Sequence, residues 1–166
     1  MMHLHAATAL WFLPFVLPFC AATVFFDLAM MRIPNWINYG LAAVFVLVGM
    51  IAMPTWPEYG RQLVHLPIGI AFGMFCFYGG LMGGGDAKFI GAAAPFVAFG
   101  DLAWMALLFS AALLGGYATH RLAKYTFLRQ LAPEWKSWNV GYKFPMGFCL
   151  GGSLVAYLGL AAAFGQ

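Results

Sequence analysis

The chain has 166 residues, of which 64% are hydrophobic and only 8% charged. Soluble domains carry about 25% charged residues, so a water-facing globule is excluded and lipid must be the solvent for most of the chain. The net charge of +3 is small and unevenly placed, which leaves no basic groove for nucleic acid and reports on membrane orientation instead.

The apolar runs lack the period-2 alternation of a membrane barrel, so they predict helices, the other structure that closes every backbone hydrogen bond inside a bilayer. Polar interruptions divide the chain into candidate spans at about Ala6 to Phe26, Ile37 to Met53, Leu63 to Leu81, Phe89 to Gly100, Leu102 to Thr119 and Phe144 to Phe164. The expected fold is therefore an all-α, polytopic membrane helix bundle of about six transmembrane helices, read as a single integral membrane domain over residues 1–166. The first run has no Lys or Arg before Arg32, and Phe19 ahead of Cys20 is too bulky for a lipoprotein signal, so it reads as a span rather than a cleaved leader. The fourth is too short to cross a full hydrocarbon core at about 1.5 Å per residue and is expected to tilt, to thin the bilayer, or to start from a loop below the headgroups.

Arg121, Lys124, Arg129, Lys136 and Lys143 share one loop, about 120–143, which should therefore be cytoplasmic. Counting back places the Arg32 loop and the Gly83 to Asp86 loop on the same side, with both termini outside and Glu58, Arg61 and Asp101 in external loops. Tyr125, Trp135, Trp138 and Tyr142 are interleaved with the basic residues, which reads either as an amphipathic segment on the inner leaflet or as a solvated connector. Gly69 with Gly73, and Gly147 with Gly151, are spaced for close helix approach. The cysteines Cys20, Cys76 and Cys149 lie in separate apolar runs and suggest packing. His3, His5, His65 and His120 are scattered, so no metal site and no cofactor are expected.

The sequence contains five acidic residues, and two of them stand at the edges of apolar runs. Asp27 closes the first run, and a carboxylate at that depth is expensive enough to be a functional candidate; the alternative is an interface marker or a partner for Arg32. Asp86 follows Gly83, Gly84 and Gly85, which clear side chains from its approach; the alternative is a helix N-cap. Two carboxyls sharing a site cannot both ionise comfortably, and a singly protonated pair can activate water for amide hydrolysis. Asp27 lies toward a helix C-terminus and Asp86 at a helix N-terminus, so the resting proton is expected mainly on Asp27.

Asp27 followed by Arg32-Ile33-Pro34-Asn35, together with Gly83-Gly84-Gly85-Asp86-Ala87-Lys88, resembles the two conserved segments of the type IV prepilin peptidases, the second being their G-x-G-D motif. The resemblance extends from about Phe12 to Gly152, with a looser match at Phe144-Pro145-Met146-Gly147. It implies an aspartic endopeptidase with Asp27 and Asp86 as catalytic carboxylates, acting on the cytoplasmic side of a bacterial inner membrane. The substrates implied are prepilins, each a basic leader followed by a hydrophobic helix. Gly83, Gly85, Lys88, Arg32, Pro34 and Asn35 would support the motif or the substrate loop. Pro34 bars Ile33 from helical geometry, Asn35 can cap the second span, and Lys88 either tunes Asp86 or snorkels to the interface. The cytoplasmic four-cysteine region of larger members is missing from this sequence, so the short form found with tight-adherence (Flp-type) pili is the closer likeness, and N-methylation is not expected. Two other classes compete: a small proton-coupled transporter, which would favour acids at the midplane and repeated halves, and a non-catalytic pilus or secretion assembly subunit.

Overall fold

A computed structural model of the chain describes residues 2–141 and 144–166; Tyr142 and Lys143 of the basic loop lie outside the described residues. Six helices follow in order: α1 (Ala6–Met30), α2 (Asn35–Ala52), α3 (Trp56–Tyr78), α4 (Gly84–Ala93), α5 (Leu102–Lys124) and α6 (Met146–Phe164). The described residues contain no strand, and the fold is an all-helical membrane bundle. Four helices are long and apolar enough to cross a bilayer: α1, α2, α6, and α5 with the short turn before it.

The other two depart from the expected spans for identifiable reasons. α3 begins at Trp56 rather than Leu63, because Thr55 caps it by accepting from the Glu58 amide and Pro57 fits the first turn. Its extra turns carry Glu58, Arg61 and Gln62, so it is long but polar at one end. α4 was expected over Phe89 to Gly100 and instead occupies Gly84–Ala93, ten residues or about 15 Å. The helix starts inside the glycine run and ends before Pro95, where the chain tightens into 3-10 turns at Ala94–Phe96 and Phe99–Asp101.

α1 and α6 form the spine, antiparallel and in close contact because Gly151 lets the α1 backbone approach; a Cβ there would lie 3.1 Å from the Cys20 carbonyl oxygen. Gly69 and Gly73 do the same between α3 and α4: a Cβ on Gly73 would collide with the Ala87 carbonyl, and one on Gly69 would sit 2.5 Å from Ala94 Cβ. The centre is an aromatic knot of Phe12, Phe45 and Phe96, whose ring centroids lie 4.8 to 5.6 Å apart.

Both described ends of the chain meet at one end of the bundle, where the Ala6 amide donates to the Gln166 carbonyl at 3.1 Å. Asp101, which the sequence places in an external loop, is fully buried here. Its carboxylate accepts from the His3 amide at 2.9 and 3.0 Å, from the Leu4 amide at 3.1 Å and from the Tyr157 hydroxyl at 2.8 Å. It is a buried staple that ties the N-terminal segment to α5 and α6.

At the opposite end, residues 125–141 do not form one amphipathic helix. They fold into 3-10 turns at Phe127–Leu131 and Lys136–Trp138. Trp138 is buried, stacks on His120 at 4.9 Å, and donates through its indole N–H to the Ala132 carbonyl at 2.8 Å. Trp135 meets Phe25 edge-on at 6.3 Å, so this loop is a folded cap against the last turns of α1.

Candidate active site

The capped end of the bundle holds the two carboxylates singled out by the sequence. Asp27 lies in the last turn of α1, which stops three residues later because Met31 takes the left-handed conformation at φ 54° and returns its amide to the Asp27 carbonyl at 2.8 Å. Pro34 keeps residues 31–34 non-helical and occupies the N-cap position of α2. Asn35, expected to be that cap, is instead the first helical residue, and its side-chain oxygen accepts from Lys88 Nζ at 3.0 Å. Lys88 therefore ties the start of α2 to α4. Arg32 is exposed and makes no ion pair with Asp27; among the described residues the only salt bridge joins Arg61 to Glu58.

The second carboxylate arrives on the first turn of α4. Asp86 is not the N-cap: that position belongs to Gly83, and Asp86 sits three residues inside, with Oδ2 accepting from the Gly83 amide at 3.2 Å. Gly83 has no side chain to reciprocate, so only half of a capping box exists. Gly85 is required by contact: a Cβ there would lie 3.2 Å from Ile33 Cβ and 3.3 Å from the Ile33 amide nitrogen. The second glycine of the motif thus lets α4 abut the loop that follows Asp27. Asn38, buried on α2, reaches the Gly85 carbonyl at the long distance of 3.5 Å.

Asp27 is buried, Asp86 is partly buried, and the two are close enough for their charges to interact. Among the described residues no cation forms a salt bridge with either carboxylate. Asp27 is held by the backbone: the Gly147 amide, in the first turn of α6, donates to Oδ2 at 2.6 Å. A Cβ at Gly147 would lie 2.9 Å from both Cβ and Oδ2 of Asp27. Gly147 therefore does more than let helices pack. The sequence supplied the signal for it, since Pro145-Met146-Gly147 opens a helix with free amides, but not the partner. Asp27 stands both at the C-terminus of α1 and over the N-terminus of α6, so the two helix-end dipoles oppose each other there and do not by themselves seat the proton.

Asp86 Oδ1 is buried and has no hydrogen-bond partner among the described residues. A buried carboxylate oxygen left open beside a second carboxylate is a place for a water or a substrate amide. Such a pair can hold one proton between two oxygens, deprotonate a water with the charged member, and protonate a departing amine with the other. Among the described residues no three His, Cys, Asp or Glu side chains are placed to hold a metal.

Residues 14–119 match the model of the type IV leader peptidase family, a stretch that contains both carboxylates and the Gly83 to Gly85 run and stops before Gly147. No curated protein and no solved structure matches the chain.

Proposed function

The chain belongs to the type IV leader peptidase family, and from that premise we propose that it is an aspartic endopeptidase in which Asp27 and Asp86 together activate water to cut the basic leader from prepilin-type precursors. The observation that carries this reading is the pair itself: two carboxylates brought from α1 and α4 into electrostatic range, with no salt-bridge partner and no hydrogen-bond partner for Asp86 Oδ1 among the described residues. In the first step the charged carboxylate takes a proton from water as the hydroxide equivalent adds to the scissile carbonyl, and the protonated carboxyl stabilises the developing oxyanion. In the second, the amine leaves with a proton returned from the pair, which regains its starting state. Gly147 holds Asp27 in place through both steps, and Gly85 keeps α4 close enough for Asp86 to share the water.

On this reading the precursor is a basic leader followed by an apolar helix, and the carboxylate end of the bundle faces the cytoplasm of a bacterial inner membrane. Arg121, Lys124, Arg129 and Lys136 support that orientation, because they lie at the same end as the pair. Membrane lipid surrounds the bundle, and neither nucleic acid nor N-methylation enters the activity.

The test uses the full chain in lipid nanodiscs and a synthetic precursor with a basic leader and one apolar helix. Wild-type protein should release the leader, and Asp27→Asn and Asp86→Asn should each lose about 10³-fold or more while inserting normally. An Asn at position 27 can still accept from Gly147, which keeps the fold. Near wild-type cleavage by either variant refutes the dyad.

A further inference from the structure

A cavity of about 1180 Å³ lies between α3, α4 and α5. Its floor is the α4 face that carries Phe89, Ile90 and Ala93; its walls include Ile68 and Phe72 of α3 and Met105, Ala106 and Phe109 of α5. Polar side chains, among them His65, Glu58 and Arg61, gather only at the end remote from the carboxylates. The groove stays open sideways because α5 packs chiefly on α6, anchored where a Cβ on Gly116 would lie 2.9 Å from the Phe148 ring.

We propose that this groove receives the apolar helix of the precursor, the segment that follows the scissile bond, and delivers it along α4 to Asp86; this rests on the leader-peptidase reading above. Helical spacing carries the argument. Asp86, Ile90 and Ala93 stand at positions i, i+4 and i+7 of α4 and so share one face. The face that floors the groove therefore ends at the candidate catalytic carboxylate, and Met82, just before the glycine run, lines the groove at that end.

Size agrees with that occupant. The α4 floor of ten residues is about 15 Å long, so about ten residues of a helix rising about 1.5 Å per residue can lie along it. Small residues at Ala93 and Ala106 let such a helix come near. A peptide strand, with unpaired amides, would not be satisfied against these apolar walls.

Two measurements on the full chain in nanodiscs test this. In the first, photoreactive residues replace Phe72 or Phe109 in an Asp86→Asn background that halts turnover, and the single-span precursor is added. Both positions should crosslink to precursor residues C-terminal to the cut, while Trp11 and Leu47, on exposed faces of α1 and α2, should not. Adducts to lipid alone at Phe72 and Phe109, or equal precursor adducts at Trp11 and Leu47, overturn the proposal. In the second, kcat/KM for the helix-bearing precursor is divided by that for a soluble leader peptide ending just beyond the cut. Ala106→Trp should lower this ratio about tenfold, and Leu114→Trp, exposed on α5, should leave it unchanged. An unmoved ratio with Ala106→Trp sinks the groove alone, whereas wild-type protein that cleaves neither substrate sinks the leader-peptidase reading on which it rests.

Discussion

The amide of Gly147 donates to the carboxylate of Asp27 at 2.6 Å, joining two residues 120 positions apart and placing the start of the last helix against a side chain from the last turn of the first. The bond fixes Asp27 without a charge, so the carboxyl can change protonation state without losing its position. It also leaves no room for a side chain at position 147.

Gly147→Ala should therefore cost both activity and stability. The new methyl, 2.9 Å from both Oδ2 and Cβ of Asp27, forces the carboxylate to turn and the α1 and α6 backbones to shift apart; leader cleavage should fall about tenfold or more, since a misplacement of about 1 Å can cost 10²-fold. Gly152→Ala, on the same helix with open space around it, should cleave normally and gain about 0.5–1 kcal/mol of stability. Paired kcat/KM and thermal unfolding in detergent separate the two.

Lys88→Met should change turnover by less than about threefold, because an exposed hydrogen bond to Asn35 is worth little in isolation. A loss of a hundredfold with unaltered KM would instead assign Lys88 a direct part in tuning Asp86.

Asp101→Ala should destabilise the protein by about 3 kcal/mol, since it strands the His3 and Leu4 amides and the Tyr157 hydroxyl in a dry site. Tyr157→Phe should cost about 1 kcal/mol, because it removes one donor to Asp101 and strands the Ala98 amide. Both variants should cleave normally per folded molecule at low temperature, and a selective loss of kcat in either would place that cluster in the reaction.

Reporter fusions after Asn35, Gly84 and Asn139 should all read as cytoplasmic, and one after Gly100 as external. An external reading at Gly84 would separate the two carboxylates across the membrane and remove the dyad.

The two carboxylates and the glycine run were legible in the sequence because a charge at the edge of an apolar run is costly and rare. Gly147 was legible only as a small residue at a helix start, since its bond to Asp27 is made by a backbone amide that every residue but proline possesses. The burial of Asp101 was not legible for the opposite reason: an acid between apolar runs shows no partner until tertiary contacts bring three donors to it. The register of α4 was misread because glycines lower hydropathy and so appear to lie outside the helix, whereas here Gly84 and Gly85 begin it. Lys88 and Asn35 were each noticed, yet their bond joins positions 53 residues apart and no periodicity reveals it.

The knot of Phe12, Phe45 and Phe96, backed by the Asp101 staple, has a consequence for the cell rather than for the reaction. An intramembrane hydrolase must admit water to its carboxylates from one side of a barrier across which cells store energy as an ion gradient. Between the carboxylates and the far end of this bundle stand fully buried aromatic rings and a carboxylate whose two oxygens are already occupied by donors. Proton relay needs a continuous chain of exchangeable partners, and along this knot the described side chains are carbon. On the leader-peptidase reading, that packing would let hydrolysis run at one face without a proton path through the aromatic centre of the bundle.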